Sequence, residues 1–266
     1  STGGKIVLTQ GATVAGTGAT QLGNVGVGHQ MNTLAAKTDT TGADGSITYL
    51  DRSALTVGTV AVGAGTPVSA TNANPSNVAA VTGITTVAGT ANGDVKVRAG
   101  TGNNVLNVNQ AILTTAGTTD VASGAVVLEA GGAITSVAAG TITTNSFGNA
   151  AAGDVFIHQV AGNTNTITLT GAINAKGGAT GTAGATSNGG VVTVWNEAGA
   201  ISLDGTINVS KDATSGTNDG TVALKASGNI IDTTLANLIG DTNGSLKAWS
   251  TGGKIVLTQG ATVAGT

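Results

Sequence analysis

Short runs of alternating apolar and polar residues recur along the chain, and each run begins at a glycine. Clear examples are "GDVKVRAG" from Gly93, "GDVFIHQV" from Gly153 and "GVVTVWNE" from Gly190. Because successive side chains of a β-strand point to opposite faces, alternation with a period of two predicts strands that are buried on one face. Seven such units are recognisable, and the residues two and four places after the opening glycine are apolar in all of them. These predicted core positions are Ile47, Tyr49, Val95, Val97, Val126, Leu128, Val155, Ile157, Val192, Val194, Val222, Leu224, Leu246 and Ala248.

A second alternating segment follows each run after a turn of small residues. It is clearest in "GAISLDGTINVS", where Ile201, Leu203, Ile207 and Val209 have the spacing of inward-facing residues. Glycine, asparagine and serine between such segments are typical of turns. Each unit is therefore predicted to supply two or three short strands.

One unit of this kind cannot bury its apolar face alone, but stacked units bury a continuous column of side chains. The predicted fold is an all-β parallel β-solenoid. A right-handed β-helix is expected, because crossovers between parallel strands are right-handed as a rule. The glycines suit corners that need a positive φ or a close approach of two backbones.

The first seventeen residues, "STGGKIVLTQGATVAGT", return unchanged as the last seventeen, Ser250 to Thr266. The copies are 249 positions apart, which indicates a tandem array with that period. Residues 1–249 would be one full repeat of a continuous solenoid with about seven to eight coils, spanning roughly 35 to 40 Å. Residues 250–266 would start the next identical repeat. The closing copy follows the strand segment "GSLKAWS", so we expect the opening copy also to be the second half of a coil.

Three segments depart from the pattern. "GHQMNTLAAKTD" from Gly28 is compatible with a short helix or with an irregular excursion. "AGTPVSATNANPSN" from Ala64 and "GGATGTAGATSNGG" from Gly177 are predicted to be loops, because glycine, proline and small polar residues dominate them.

Composition argues against several classes of function. The net charge is −3 and the ten lysine and arginine residues are scattered, whereas nucleic-acid binding needs a basic surface. The chain contains no run of eighteen apolar residues, so no membrane-spanning helix is predicted. The chain has no cysteine, so disulfide bonds and thiol chemistry are excluded. With 44 glycines and 2% aromatic residues, the core should be thin and aliphatic.

The outward-facing positions are the candidates for function, because the inward ones form the core. The residue five places after each opening glycine gives a column that begins at Leu50 and contains both tryptophans. We expect Phe156, His158 and Trp195 to form an aromatic patch, because stacked coils bring equivalent residues together. Beside it we expect an ion pair of Arg98 and Glu129. These side chains either cover a solvated face or form a contact stripe. The candidate contact stripe consists of Arg98, Glu129, Phe156, His158, Trp195, Lys225 and Trp249.

Catalytic or cofactor chemistry is not predicted. His29 and His158 lie far apart in the repeat pattern, and no nucleophile motif accompanies them. Asp94, Lys96 and Arg98 share one outward face, but this charged set does not recur on the later coils. The glycine-rich nonapeptide typical of calcium-binding β-solenoids is absent, and turn aspartates such as Asp94 should accept backbone N–H bonds. No catalytic residue, metal ligand or cofactor is therefore expected.

The segments "GAISLDGTINVS", "GAITSVAAGTITT" and "ITLTGAINAKGG" resemble the repeats of filamentous-haemagglutinin-type proteins, the very large secreted β-helical adhesins and exoproteins of bacteria. The resemblance extends over most of the chain as a style of repeat. It implies secretion, a fibre-like shape and contact with cells or surfaces, and it transfers no site residue.

We therefore expect a structural and adhesive repeat of a very long extracellular fibre at a bacterial cell surface, and not an enzyme. Its expected partners are neighbouring identical repeats stacked end to end, other fibres alongside, and a cell-surface or glycan receptor. Two alternatives stay open. One is a β-helical enzyme that acts on polysaccharide, and the other is an ice- or crystal-binding solenoid with ladders of outward threonine.

Overall fold

A computed structural model describes residues 6–8, 29–38, 45–61, 80–86, 93–114, 120–160, 162–178, 186–211, 216–232, 238–239 and 243–257. These residues form short β-strands joined by turns, and none of them is helical. The described part of the chain accordingly contains no helix that could span a membrane.

Three parallel sheets contain all but two of the strands. The first sheet consists of β1 (Ile6–Leu8), β4 (Ile47–Leu50), β9 (Val95–Arg98), β12 (Val126–Ala130), β15 (Val155–Gln159), β18 (Val191–Asn196), β21 (Thr221–Ala226) and β24 (Ser245–Ser250). The second consists of β2 (Thr33–Leu34), β5 (Leu55–Val57), β10 (Leu106–Val108), β13 (Ile134–Ser136), β16 (Ile167–Leu169), β19 (Ile201–Leu203), β22 (Ile230–Asp232) and β25 (Ile255–Val256). The third consists of β3 (Ala36–Lys37), β8 (Ile84–Thr85), β11 (Ile112–Leu113), β14 (Ile142–Thr143), β17 (Ile173–Asn174), β20 (Ile207–Asn208) and β23 (Leu238–Ile239). The remaining two strands, β6 (Thr59–Val60) and β7 (Val81–Thr82), pair with each other in antiparallel orientation.

The order of the strands is that of a solenoid. Along the chain, a strand of the first sheet is followed by one of the second and one of the third, and the next coil repeats the series. Equivalent strands of successive coils pair in parallel and in register, as Val126 does with Val155 and Val155 with Val192. The predicted all-β parallel solenoid is thereby confirmed, with three strands in each full coil. The right-handed winding of the coils stays a prediction.

The core is a single column of aliphatic side chains enclosed by the three sheets. Of the fourteen core positions predicted from the alternation, twelve are buried, and the largest exposed fraction among them is 4%, at Tyr49. The last two, Leu246 and Ala248, are only partly buried, because among the described residues no further strand covers their coil. The second alternating set is confirmed as well, since Ile201, Leu203, Ile207 and Val209 are all buried.

The glycines that open the units are required by close contact between coils. A Cβ atom on Gly153 would lie 2.2 Å from the carbonyl oxygen of Gly124, and one on Gly220 would lie 1.8 Å from that of Gly190. No side chain fits at such distances. Of the two reasons expected for corner glycines, the close approach of backbones is the one that applies at these positions.

Buried threonines join the end of one coil to the start of the next. Each follows a strand of the third sheet, and its hydroxyl group donates a hydrogen bond to the carbonyl oxygen of the glycine that opens the next first-sheet strand. These bonds satisfy polar groups that are removed from water. The pairs are Thr38 with Gly45, Thr86 with Gly93, Thr114 with Gly124, and Thr144 with Gly153.

The irregular segments are only partly described. The segment from Gly28 forms β2 and β3, so neither the short helix nor the irregular excursion that its sequence allowed is present in residues 29–38. Two residues such as Thr33–Leu34 are enough to form a strand here, because the neighbouring coil supplies the pairing partners. The predicted loop at residues 64–77 lies outside the described residues, as do residues 179–185 of the other predicted loop.

The two identical segments occupy different sheets. In the closing copy, Ile255–Val256 pairs with Ile230–Ile231 in the second sheet, as expected for the second half of a coil. In the opening copy, the same residues, Ile6–Leu8, pair with Ile47–Tyr49 in the first sheet. The expectation that the opening copy is also the second half of a coil is therefore wrong for this chain.

Candidate contact site on the first sheet

The outward column of the first sheet is brought together by the strand register. Each member lies directly opposite the next one, from Leu50 through Arg98 and Glu129 to His158, and on through Trp195 and Lys225 to Trp249. Neighbouring coils of a parallel stack are about 4.8 Å apart, so side chains in such a column touch. The column has a buried polar half and an exposed aromatic half.

The buried half is a chain of charged and hydrogen-bonded groups. The guanidinium Nη1 of Arg98 lies 3.8 Å from Oε2 of Glu129, and Oε1 of Glu129 lies 3.2 Å from Nδ1 of His158. The other ring nitrogen of His158 lies 2.7 Å from Oε1 of Glu197. Arg98 is 6% exposed, and Glu129 and His158 are fully buried. A buried carboxylate is tolerated only with partners of this kind, so the cluster links four successive coils.

His158 also connects the polar half to the aromatic half. Its ring stacks on that of Trp195, with centroids 4.4 Å apart and planes inclined by 20°. Phe156 flanks it from the same strand, at a centroid distance of 5.5 Å. The predicted patch of Phe156, His158 and Trp195 is therefore present in the structure, as is the ion pair beside it.

The exposed half places a lysine between two tryptophans. Nζ of Lys225 lies 4.8 Å from the ring centroid of Trp195 and 5.5 Å from that of Trp249. These distances are within the range of cation–π attraction. Trp249 is 62% exposed, Lys225 is exposed and Trp195 is half-buried.

A shallow groove of about 560 Å³ lies over this part of the sheet. Trp195, Ala223, Lys225 and Trp249 are among the residues that line it. The side chains that line it carry two positive charges, those of Lys225 and Lys247, and no negative charge. It can therefore offer aromatic faces and ammonium donors to a ligand from outside.

The residues of the candidate contact stripe differ in their exposure to solvent. All of its predicted members line up on one face, but Arg98, Glu129 and His158 are buried and cannot contact a partner directly. The accessible part consists of Phe156 and Trp195, which are half-buried, and of Lys225 and Trp249, which are exposed. Its role in contact stays a prediction.

Two partners in and near the column could not be recognised from the outward alternation alone. Glu197, which binds His158, follows the end of its strand, where the period of two no longer applies. Asp51 is buried at the equivalent strand end, where it accepts hydrogen bonds from the backbone N–H of Met31 and Ser53 and from the hydroxyl of Tyr49. Asp51 shares its position in the coil with the buried residues Gln159 and Asn196, so a column-by-column comparison could have found it. Glu197 is one residue further along its coil and carries no such signal.

Burial raises the pKa of Tyr49 above its usual range, and the hydrogen bond to Asp51 and the negative charge of that carboxylate act in the same direction. The hydroxyl oxygen lies 2.9 Å from Oδ2 of Asp51, and the tyrosine ring stacks on His29 at 5.5 Å. Tyr49 is therefore a structural group, held protonated inside the first coils.

The turn aspartates bind the backbone of the next coil. Oδ1 of Asp94 accepts a hydrogen bond of 2.8 Å from the N–H of Ala125, and Oδ1 of Asp154 accepts one of the same length from Val191. Lys96 lies 3.9 Å from the other oxygen of Asp94. Within the described ranges, no three histidine, aspartate or glutamate side chains converge as metal ligands would.

Three parallel sheets wound in sequence order define the chain as an all-β parallel solenoid. Comparison of the chain with protein-family models, with curated proteins and with solved structures finds no match.

Proposed function

We propose that the chain is a structural and adhesive repeat of a long, secreted bacterial fibre of the filamentous-haemagglutinin type. The observation that carries the proposal is the 17-residue segment that returns unchanged after 249 positions, in a chain whose equivalent strands pair in parallel and in register from coil to coil. Units that stack in this way bury one continuous core, so a further copy of the sequence can extend the same column.

Adhesion is assigned to the groove between Trp195 and Trp249. Aromatic side chains are enriched where proteins contact partners, and here two tryptophans line an outward groove. Lys225 and Lys247 give this groove a positive charge on a chain whose net charge is negative, which suits an acidic ligand. One shallow groove binds weakly. An array presents the groove once per repeat, and several weak contacts on one rod strengthen attachment by their effective concentration.

A structural role is also favoured over catalysis. The acid and base groups that lie close together, Glu129 and His158, are fully buried. A substrate in solution cannot reach them. Burial of these groups is what a cluster that links neighbouring coils requires. It therefore supports a structural role for the chain over a catalytic one.

The test compares binding of one-repeat and two-repeat proteins to a carboxymethyl-dextran surface, an acidic polysaccharide probe. The two-repeat protein should bind at least tenfold more tightly than the single repeat, because its two grooves act together. Trp249→Ala and Lys225→Gln should each weaken binding about tenfold, which corresponds to roughly 1.4 kcal/mol. Both tryptophans of the chain line the groove, so their fluorescence reports occupancy directly.

Matched controls are available elsewhere on the chain. Met31→Ala removes another exposed apolar side chain, and Lys96→Gln removes another lysine of the first sheet. Neither should change binding. Equal affinity of one and two repeats, or equal loss in the controls and the groove variants, would contradict the adhesive role.

A further inference from the structure

The ring of Trp195 lies between two nitrogen-bearing side chains of the neighbouring strands. On one side, the imidazole ring of His158 stacks on it, with centroids 4.4 Å apart. On the other side, Nζ of Lys225 lies 4.8 Å from the centroid of the Trp195 ring. His158 is fully buried and does not line the groove, so any effect that it has on a ligand there passes through Trp195.

Both ring nitrogens of His158 face a carboxylate. Nδ1 lies 3.2 Å from Oε1 of Glu129, and Nε2 lies 2.7 Å from Oε1 of Glu197. A carboxylate accepts hydrogen bonds, so both contacts are satisfied only when the ring donates from both nitrogens. A ring that donates from both nitrogens carries a positive charge. The geometry therefore fits an imidazolium ion.

The charges of the buried cluster balance only with the ring in this form. Arg98 and an imidazolium at His158 supply two positive charges. Glu129 and Glu197 supply two negative charges, and the signs alternate along the cluster. With a neutral ring, the cluster would keep an unbalanced negative charge away from water, which is unfavourable. The next charged group along the column is Lys225, which the ring of Trp195 separates from the cluster.

Solvent reaches the cluster at Glu197. A second groove, of about 310 Å³, shares Trp195 and Lys225 with the first, and Glu197 is among the other residues that line it. The side chain of Glu197 is 21% exposed, whereas those of Glu129 and His158 are fully buried. A proton can therefore pass between water and His158 through this carboxylate, so the charge of the ring can respond to the pH of the solution.

We propose that His158 is a positioning residue for the contact groove: as an imidazolium ion it holds the ring of Trp195 in place, and the affinity of the groove depends on its proton. An imidazolium ion attracts the face of an aromatic ring as other cations do. When the ring loses a proton, it can donate to only one of its two carboxylates, and the stack on Trp195 loses its electrostatic part. This inference rests on the adhesive role proposed above and adds control by pH to it.

Fluorescence of Trp195 tests the positioning without any ligand. Trp249→Phe removes the other tryptophan of the chain, so all indole emission then comes from Trp195. An imidazolium ion in contact with an indole ring quenches its emission, so the emission should rise between about pH 5 and about pH 9. The rise should be absent when His158→Gln is added, because glutamine has no titrating ring. The other histidine, His29, is retained in both proteins and serves as an internal control.

Binding to the carboxymethyl-dextran surface tests the consequence for the groove. The wild type should bind about threefold more weakly at about pH 9 than at about pH 6, because cation–π contacts are of modest strength. His158→Gln should bind equally at both pH values. Glu197→Gln removes one of the two negative charges that hold the imidazolium ion, so its loss of affinity should begin at a lower pH. Asp204→Asn, which neutralises a half-buried carboxylate beside the second sheet, should leave the wild-type profile unchanged.

Two results overturn the proposal. One is emission of Trp195 that does not change with pH in the protein that keeps His158. The other is a pH profile of binding that is the same in the wild type and in His158→Gln. If circular dichroism shows that His158→Gln does not fold, the profile of Glu197→Gln decides, and an unshifted profile overturns the proposal. A wild type that binds the probe at no pH contradicts the adhesive role instead, and the emission of Trp195 then still decides whether His158 positions that ring.

Discussion

Tyr49 is the one tyrosine of the chain, and its hydroxyl group is enclosed with Asp51 in the first coils. Its raised pKa gives stability a defined dependence on pH. The unfolded chain loses the tyrosine proton near pH 10, whereas the folded chain keeps it. The contribution to the free energy of unfolding is therefore complete below about pH 10 and is lost as the pH rises further.

We predict that tyrosinate absorbance at 295 nm appears together with loss of structure at alkaline pH, and not before it. Urea unfolding of the wild type should show a free energy that falls between pH 9 and pH 11 more steeply than that of Tyr49→Phe. At pH 7 the variant should lose about 1 kcal/mol with the hydrogen bond to Asp51. Titration of the tyrosine near pH 10 in a protein that stays folded would contradict this account.

At the level of single residues, the sequence predicts which face of a sheet a side chain lies on better than it predicts how deeply that side chain is buried. Alternation placed Glu129 and His158 correctly on the outward face of the first sheet, and the structure shows that both are nevertheless buried. A side chain that faces away from the core can therefore still be buried by its neighbours. The carboxylate of Glu197 and the ring of Trp195 close over His158, and those contacts depend on the lengths of turns that a local pattern does not specify.

At the level of elements, coil stacking depends on the glycine at the start of each first-sheet strand. Gly153→Ala would place a methyl group 2.2 Å from the carbonyl oxygen of Gly124, and the parallel hydrogen bonds prevent the coils from moving apart. We expect the free energy of unfolding to fall by about 1–3 kcal/mol, as for an overpacked core. Urea unfolding followed by circular dichroism measures the change.

Gly58→Ala is the matched control for this substitution. Its Cβ would meet only side-chain methyl groups, those of Thr33 and Thr56, with the nearer 2.9 Å away. A side-chain methyl can rotate away, whereas a backbone carbonyl in a sheet cannot. The control should therefore cost less than Gly153→Ala, and an equal or larger loss would contradict the role given to the opening glycine.

Element assignment from sequence succeeded where the pattern of one unit was repeated in its neighbours. Thr33–Leu34 and Ala36–Lys37 are two-residue strands, too short to be recognised without the coils that pair with them. Ile6–Leu8 was correctly predicted to be a strand, but it was placed in the wrong half of a coil. First-sheet and second-sheet strands share the same alternation of apolar and polar residues, so the local pattern does not distinguish the two positions.

At the level of the whole molecule, the central claim is that repeats join into one continuous solenoid. The described coils stack in parallel along all three sheets, and the 17-residue segment that returns after 249 positions indicates that the sequence repeats in tandem. With seven to eight coils per repeat and about 4.8 Å per coil, each added repeat should lengthen the rod by roughly 35 to 40 Å without changing its width.

The length of a two-repeat protein relative to the single repeat tests this claim most directly. Electron micrographs of the two proteins, imaged side by side, should show rods of equal width that differ in length by roughly 35 to 40 Å. Two compact particles joined by a gap, or one particle that is wider and no longer, would contradict the continuous solenoid.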